Sequence, residues 1–200
     1  MTRERTRARS DRGAALTEFA LILPLLVMIF AGVVDFGFAW KDSLTIGTGA
    51  QAGARIGANL GDDRAADEEA LVAIAAAVAT LGANVTLEHV IVFKPGPDGE
   101  VPATCLSGGA HSVTNLCNHY TPTQLAAALA GTADFSGSSS CAGSALDRFW
   151  CPTDREARQL LSPDEIGVYV QAQRGWSTGI FPGNGLTISR TAVMRLEPPT

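Results

Sequence analysis

Two hundred residues, 46% of them hydrophobic and 18% charged, suit one domain and are too apolar for a disordered chain. A formal charge of −5 and a pI near 5.1 remove the sequence-independent attraction to phosphate on which nucleic-acid binders rely, so no nucleic-acid partner is expected. The charge is unevenly spread. Five of the 15 basic residues are arginines in the first twelve positions (Arg3, Arg5, Arg7, Arg9, Arg12), set against Glu4 and Asp11, so a +3 leader precedes a −8 remainder.

After the leader, residues 14–34 are apolar except for Thr17 and Glu18, and Phe19 to Val34 carry no charge before Asp35. About 20 helical residues cross a hydrocarbon core, so one span fits. Retention of arginine on the cytoplasmic side places the leader inside and everything after residue 40 outside, with Trp40 and Lys41 at the boundary. A cleaved secretory signal needs a small-residue cleavage site, and Gly37-Phe-Ala-Trp40 is a poor one. A plain anchor explains length and orientation but not Glu18, since an acid at the membrane centre costs at least ~2.5–3.5 kcal/mol.

The segment Gly13, four uncharged residues, then Glu18-Phe19 and a long apolar run resembles the class III signal of type IV pilins. The wider string Arg12-Gly-Ala-Ala-Leu-Thr-Glu-Phe-Ala-Leu-Ile-Leu-Pro-Leu-Leu, then Gly32-Val-Val-Asp35-Phe-Gly and Gln51-Ala-Gly-Ala-Arg55-Ile-Gly-Ala, resembles the TadE-like family. These are pseudopilins of the tight-adherence (Flp, type IVb) pilus system. The likeness covers about residues 12–58, and Ala192-Val-Met-Arg195-Leu-Glu-Pro198 is similar to the family's closing strand. The resemblance implies cleavage between Gly13 and Ala14 by a prepilin peptidase on the cytoplasmic face. It further implies an assembly role for Glu18, paired with the freed N-terminus of a neighbouring subunit, because either charge alone is costly in low dielectric. Phe19 takes a place often held by tyrosine in the major pilin, which favours a minor subunit. The implied partners are the peptidase, other pilin or pseudopilin subunits and inner-membrane platform proteins.

Farther along, Gly49, Gly53, Gly57 and Gly61 recur every four residues beside Ala50, Ala54 and Ala58. Each helical glycine costs roughly 1 kcal/mol against alanine, so either a small face packs closely against something or the segment is a flexible stalk. Helical from Ala14 to Leu60, it is a rod about 70 Å long. Pro24 predicts a kink or a melted turn. A second helix opens at Asp67, with Leu71, Ile74, Val78 and Leu81 at helical spacing and Gly82 as its cap. Acids in its first turn suit the macrodipole, and the Asp62-Asp63 and Asp67-Glu68-Glu69 runs read as a solvated cap. Strands are expected at 85–93, 166–174 and 186–196, with a short helix over 124–130 and loops through the rest of 100–165. The Ser136–Ser144 tract reads as a mobile loop.

Cys105, Cys117, Cys141 and Cys151 all fall in that loop-rich region, on the extracytoplasmic side, which favours two disulfides. Four cysteines allow three connectivities, and short loops favour Cys105–Cys117 with Cys141–Cys151. A zinc site from Cys105, His111, Cys117 and His119 lacks the tight cysteine pairs of structural zinc sites, so no metal is assigned. His89 lies between apolar neighbours and points out of its strand. No hydrolase elbow, phosphate loop or zinc-protease motif occurs, and no nucleophile stands with a base, so neither enzymatic activity nor a cofactor is expected.

The sequence therefore predicts an α+β protein in three parts. Residues 1–13 form a basic cytoplasmic leader. Residues 14–60 form a pilin-like helix with its transmembrane half at 14–40, and residues 61–200 an extracytoplasmic body with a mostly antiparallel sheet packed on helices. Such a protein is bitopic in the inner membrane of a bacterium, with its N-terminus inside, and acts in assembly or initiation of a Tad-type pilus. The competing reading is a membrane-tethered extracellular binding module on an uncleaved anchor.

Overall fold

The computed structural model describes residues 4–107, 109–137, 141–157 and 163–197, with residues 4–12 as backbone only. The first three leader residues, residues 138–140 of the Ser/Gly-rich tract and Pro198 of the closing motif lie outside the described residues. Helix α1 spans Glu4–Leu60, so helix begins within the leader and not at Ala14. Arginine is a good helix former, and only Gly13 weakens the segment before the apolar run. The helix continues through Pro24 with no melted turn. Proline is tolerated in apolar spanning helices, where local adjustment re-satisfies the freed backbone groups.

The two halves of α1 have different surroundings. Residues 13–30 are all exposed. From Ala31 onward, Asp35, Ala39, Asp42, Ile46, Ala50, Ala54 and Ala58 are buried at spacings of three and four, one continuous stripe of the helix. Helix α2 (Ala66–Val78) lies on the glycines of that stripe. A Cβ placed at Gly53 would stand 2.5 Å from Ile74 Cγ1, and one at Gly57 would stand 2.7 Å from Ile166 Cδ1. The four-residue glycine repeat is thus a close-packing face and not a flexible stalk. Helix α2 stops at Val78 with Ala79 as its C-cap, three residues before the expected Gly82, which is exposed in the turn leading to the sheet. Leu71 and Ile74 are fully buried as their spacing predicts.

The sheet contains β1 (Val85–Phe93), β2 (Cys117–Tyr120), β3 (Glu165–Arg174) and β4 (Leu186–Arg195) in the order β2-β1-β3-β4, every pair antiparallel. The described architecture is α+β, a long helix followed by a small body. One face, with Val90, Val92, Ile166, Val168, Val170 and Ile188, packs on α1 and α2. On the other, Ile91 and Phe93 form a smaller core with the Cys105–Cys117 bridge. A register shift between Leu87 and His89 puts Leu87 with the helix-side core and His89 on the opposite face. Short helix α3 (Ala103–Leu106) and strand β2 occupy part of the stretch read as loop. Helix α4 spans Pro122–Leu129, starting two residues earlier than expected. Proline suits the first turn, and Thr121 and Gln124 close a reciprocal capping box.

Candidate functional site

Gly13, Ala14, Glu18 and Phe19 lie together on α1, all exposed and clear of the body. Ala14 and Glu18 are one helical turn apart and share a face. Around them Leu16, Leu21, Phe30 and Val33 are 67–81% exposed, an apolar surface left uncovered by the described residues. The 13–60 stretch is the one helix among the described residues long and apolar enough to cross a membrane.

Where the free part of α1 ends, the body grips it. Asp35 is fully buried, and its Oδ1 accepts the backbone N–H groups of Ser177 (2.8 Å) and Thr178 (3.3 Å). Its Oδ2 accepts the Thr178 hydroxyl. Two turns on, Asp42 pairs with Arg174, both nearly out of solvent, and Arg174 also donates to Ser177 Oγ at 2.9 Å. Arg190 of β4 donates to Ser43 Oγ. Phe36 meets Trp176 and Phe181 edge-on at centroid distances of 6.1 and 6.3 Å. Sequence reasoning places Asp35 at the end of the charge-free run and in the Asp-Phe-Gly string, without a partner, and so misses this joint. Its signal is the seven-residue spacing of Asp35 and Asp42, which puts two acids on one face of the helix in line with Ala31, Ala39 and Ile46, where each needs a partner.

A second polar cluster lies beneath the start of α2. Asp67 is fully buried, which corrects its reading as part of a solvated cap. It accepts from Arg155 Nη2 at 2.6 Å, Tyr120 Oη at 2.6 Å and Asn118 Nδ2 at 2.9 Å. Asn118 exchanges two bonds with the Trp150 backbone, and the Arg155 guanidinium lies 4.2 Å from the Trp150 ring. Burial and the Asp67 charge push the Tyr120 hydroxyl well above the usual phenol range. Nearby Asp147 is raised chiefly by burial, although it accepts the Ser136 hydroxyl at 2.6 Å. The group binds the two disulfide regions to the helices, with Cys105–Cys117 ending on β2 and Cys141–Cys151 adjoining Trp150.

The disulfides use all four cysteines, so none of them offers a thiolate to a metal. Among the described residues no group of three His, Cys, Asp or Glu side chains is placed to hold an ion. His89 stays within β1 opposite Gln171, and its half-buried ring packs on the neighbouring strands, stacked on Tyr169 at 5.9 Å and 5.5 Å from His119. A groove of about 440 Å3 between Phe36, Trp40 and Ser43 of α1 and strand β4 is open, and among the residues that line it no nucleophile is paired with a base.

A helix half free and apolar, half built into an α+β body, defines a single-pass membrane anchor with a body beyond it. The family model described as TadE-like protein matches residues 13–55, from the glycine before Ala14 through Gly49 and Gly53, the first two glycines of the repeat. The TadE-like family is a structural, non-enzymatic family associated with the Tad pilus system. No curated protein and no solved structure matches the chain.

Proposed function

We propose that this protein is a minor pilin-like subunit, a pseudopilin, that takes part in assembling or initiating a Tad/Flp type IVb pilus. The observation that carries the reading is the coincidence of the TadE-like match at residues 13–55 with a helix whose first half is apolar, exposed and acid-bearing. The basic leader lies in the cytoplasm, the span in the inner membrane and the body outside. A prepilin peptidase cuts between Gly13 and Ala14, leaving a chain of 187 residues with a formal side-chain charge of −8. The new ammonium at Ala14 and the Glu18 carboxylate of an adjacent subunit neutralise one another in the apolar phase, which sets the stagger of neighbouring helices. Partners are the peptidase, other pilin subunits and the inner-membrane assembly platform. The role is one of interaction, without turnover.

The test is the N-terminus of the mature chain in cells that contain the peptidase. Ala14 is expected in first position, and Gly13→Ile is expected to block processing. An intact leader on the wild-type chain rules the reading out. The tethered-module alternative predicts full function when the span is replaced by an unrelated transmembrane helix. That exchange must stop at Phe30, because the buried stripe of α1 begins at Ala31.

A further inference from the structure

We propose that the β3–β4 connection, residues 175–185, is a second membrane-contacting element that lies in the headgroup boundary beside α1 and fixes the tilt of the body on the bilayer. The proposal rests on the reading of residues 13–31 as the span. Three observations carry it.

The first is position. From Gly13 to Gly32 is nineteen residues, about 28 Å of helix, against a hydrocarbon core of roughly 30 Å. The loop meets the helix where that length runs out: a Cβ at Gly32 would lie 3.5 Å from Phe181 Cζ, and Asp35 holds the backbone of Ser177 and Thr178. The outer boundary of the span therefore lies near residue 32, about eight residues before Trp40.

The second is chemistry. Residues 175–189 carry no charge; the exposed Arg190 follows them, while Arg174 before them is buried against Asp42. Trp176 and Phe181 pack at 5.2 Å on one another and both on Phe36, itself 56% exposed. Ile180 is 44% exposed beside them. This apolar patch continues the exposed surface of α1, and aromatic residues beside an exposed arginine suit a membrane boundary.

The third is hydrogen bonding. Irregular backbone is tolerated near lipid only when its polar groups have partners. Gly175 N donates to Asn84 O at 2.8 Å, Ser177 N and Thr178 N donate to Asp35, and Trp176 Nε1 donates to Pro182 O at 3.2 Å. A buried carboxylate on the helix thus satisfies the base of the loop, and the apolar side chains are left for lipid.

Quenching of tryptophan by brominated phosphatidylcholine tests this in vesicles that contain the full chain. The share of emission due to Trp176 is the difference between Trp40→Phe and Trp40→Phe/Trp176→Phe. It is expected to fall roughly twofold with bromines near the headgroup end of the acyl chain and less with bromines near the bilayer centre, as for an interfacial aromatic. No lipid quenching of that share overturns the proposal, whether the residue faces water or a second copy of the chain. A Phe30→Trp chain without Trp40 and Trp176 reports on the span itself. Quenching there without quenching at Trp176 rejects the loop and keeps the anchor, whereas loss of both rejects the anchor as well.

Discussion

Arg155 and Asp67, eighty-eight positions apart, meet at 2.6 Å with both side chains completely out of solvent. The pair joins the first turn of α2 to the segment that follows the second disulfide. Two guanidinium nitrogens of Arg155, Nε and Nη1, have no partner among the described residues, and the Trp150 ring beneath the cation lends part of the missing stabilisation. Removing one member leaves the other charge buried alone. Arg155→Met is therefore expected to destabilise the full-length protein in detergent by about 3–5 kcal/mol, read from urea denaturation. Asp67→Leu/Arg155→Met should recover part of that loss.

At Gly53 two opposing effects can be weighed. Alanine gains roughly 1 kcal/mol of helix propensity. Its Cβ would also stand 2.5 Å from Ile74 Cγ1 and 2.6 Å from Cδ1, and Ile74 is fully buried. Overpacking typically costs 1–3 kcal/mol, so Gly53→Ala is expected to lower the thermal midpoint. In Gly53→Ala/Ile74→Ala the loss should be smaller than the sum of the single losses, since the atoms in collision are gone.

Two neighbouring histidines, His89 and His119, with tilted rings 5.5 Å apart, make stability depend on pH. Burial holds His89 and His119 below the ordinary histidine value. The positive charges of His89 and His111 lower His119 further, and Glu88 pulls His89 back up. The unfolded chain takes up protons near pH ~6.5 and the folded pair only at lower pH, so the unfolded state binds more protons in between. Stability is full above that value and falls as the pH drops through the lowered folded values. Glu68 and Asp147 are raised by burial and act with the opposite sign over a more acidic range, gaining stability as they protonate. Denaturation followed between about pH 7 and 5 should show the loss, and His89→Gln/His119→Gln should flatten it.

Glu18→Ala separates the two roles assigned to the N-terminal segment. Processing at Gly13 should proceed, because the variant keeps the apolar run and the leader. Pilus assembly should weaken, since an unpaired ammonium at Ala14 is left in the apolar phase. The measurements are N-terminal sequencing and a count of pili per cell. Undiminished piliation would remove the charge-pairing role.

Much of this architecture was legible because it is local. The long helix, the strand over Val85–Phe93 and the strands near 166 and 186 follow from apolar runs, β-branched content and Gly/Pro punctuation, which act over a few residues. Of the three connectivities, the structure shows the one that short loops favour, with separations of 12 and 10 residues. Strand β2 was read as loop because its four residues, Cys-Asn-His-Tyr, have little propensity of their own. Their strand geometry comes from pairing with β1, from the Cys105–Cys117 bridge and from the bonds of Asn118 and Tyr120 to Asp67.

By itself the sequence determined that a helix long and apolar enough to cross a membrane lies near the N-terminus, that a small-residue face follows and that a cysteine-stapled α+β body comes last. Each is written in periodicity, charge placement or composition. Only the tertiary structure decided that α1 joins the body already at Ala31, that Asp35 holds the β3–β4 loop and that Asp67 is a buried anchor and not a solvated cap. Whether a carboxylate is solvated or paired depends on groups brought beside it from far along the chain, here from 88 and 142 residues away, and no local pattern encodes that distance.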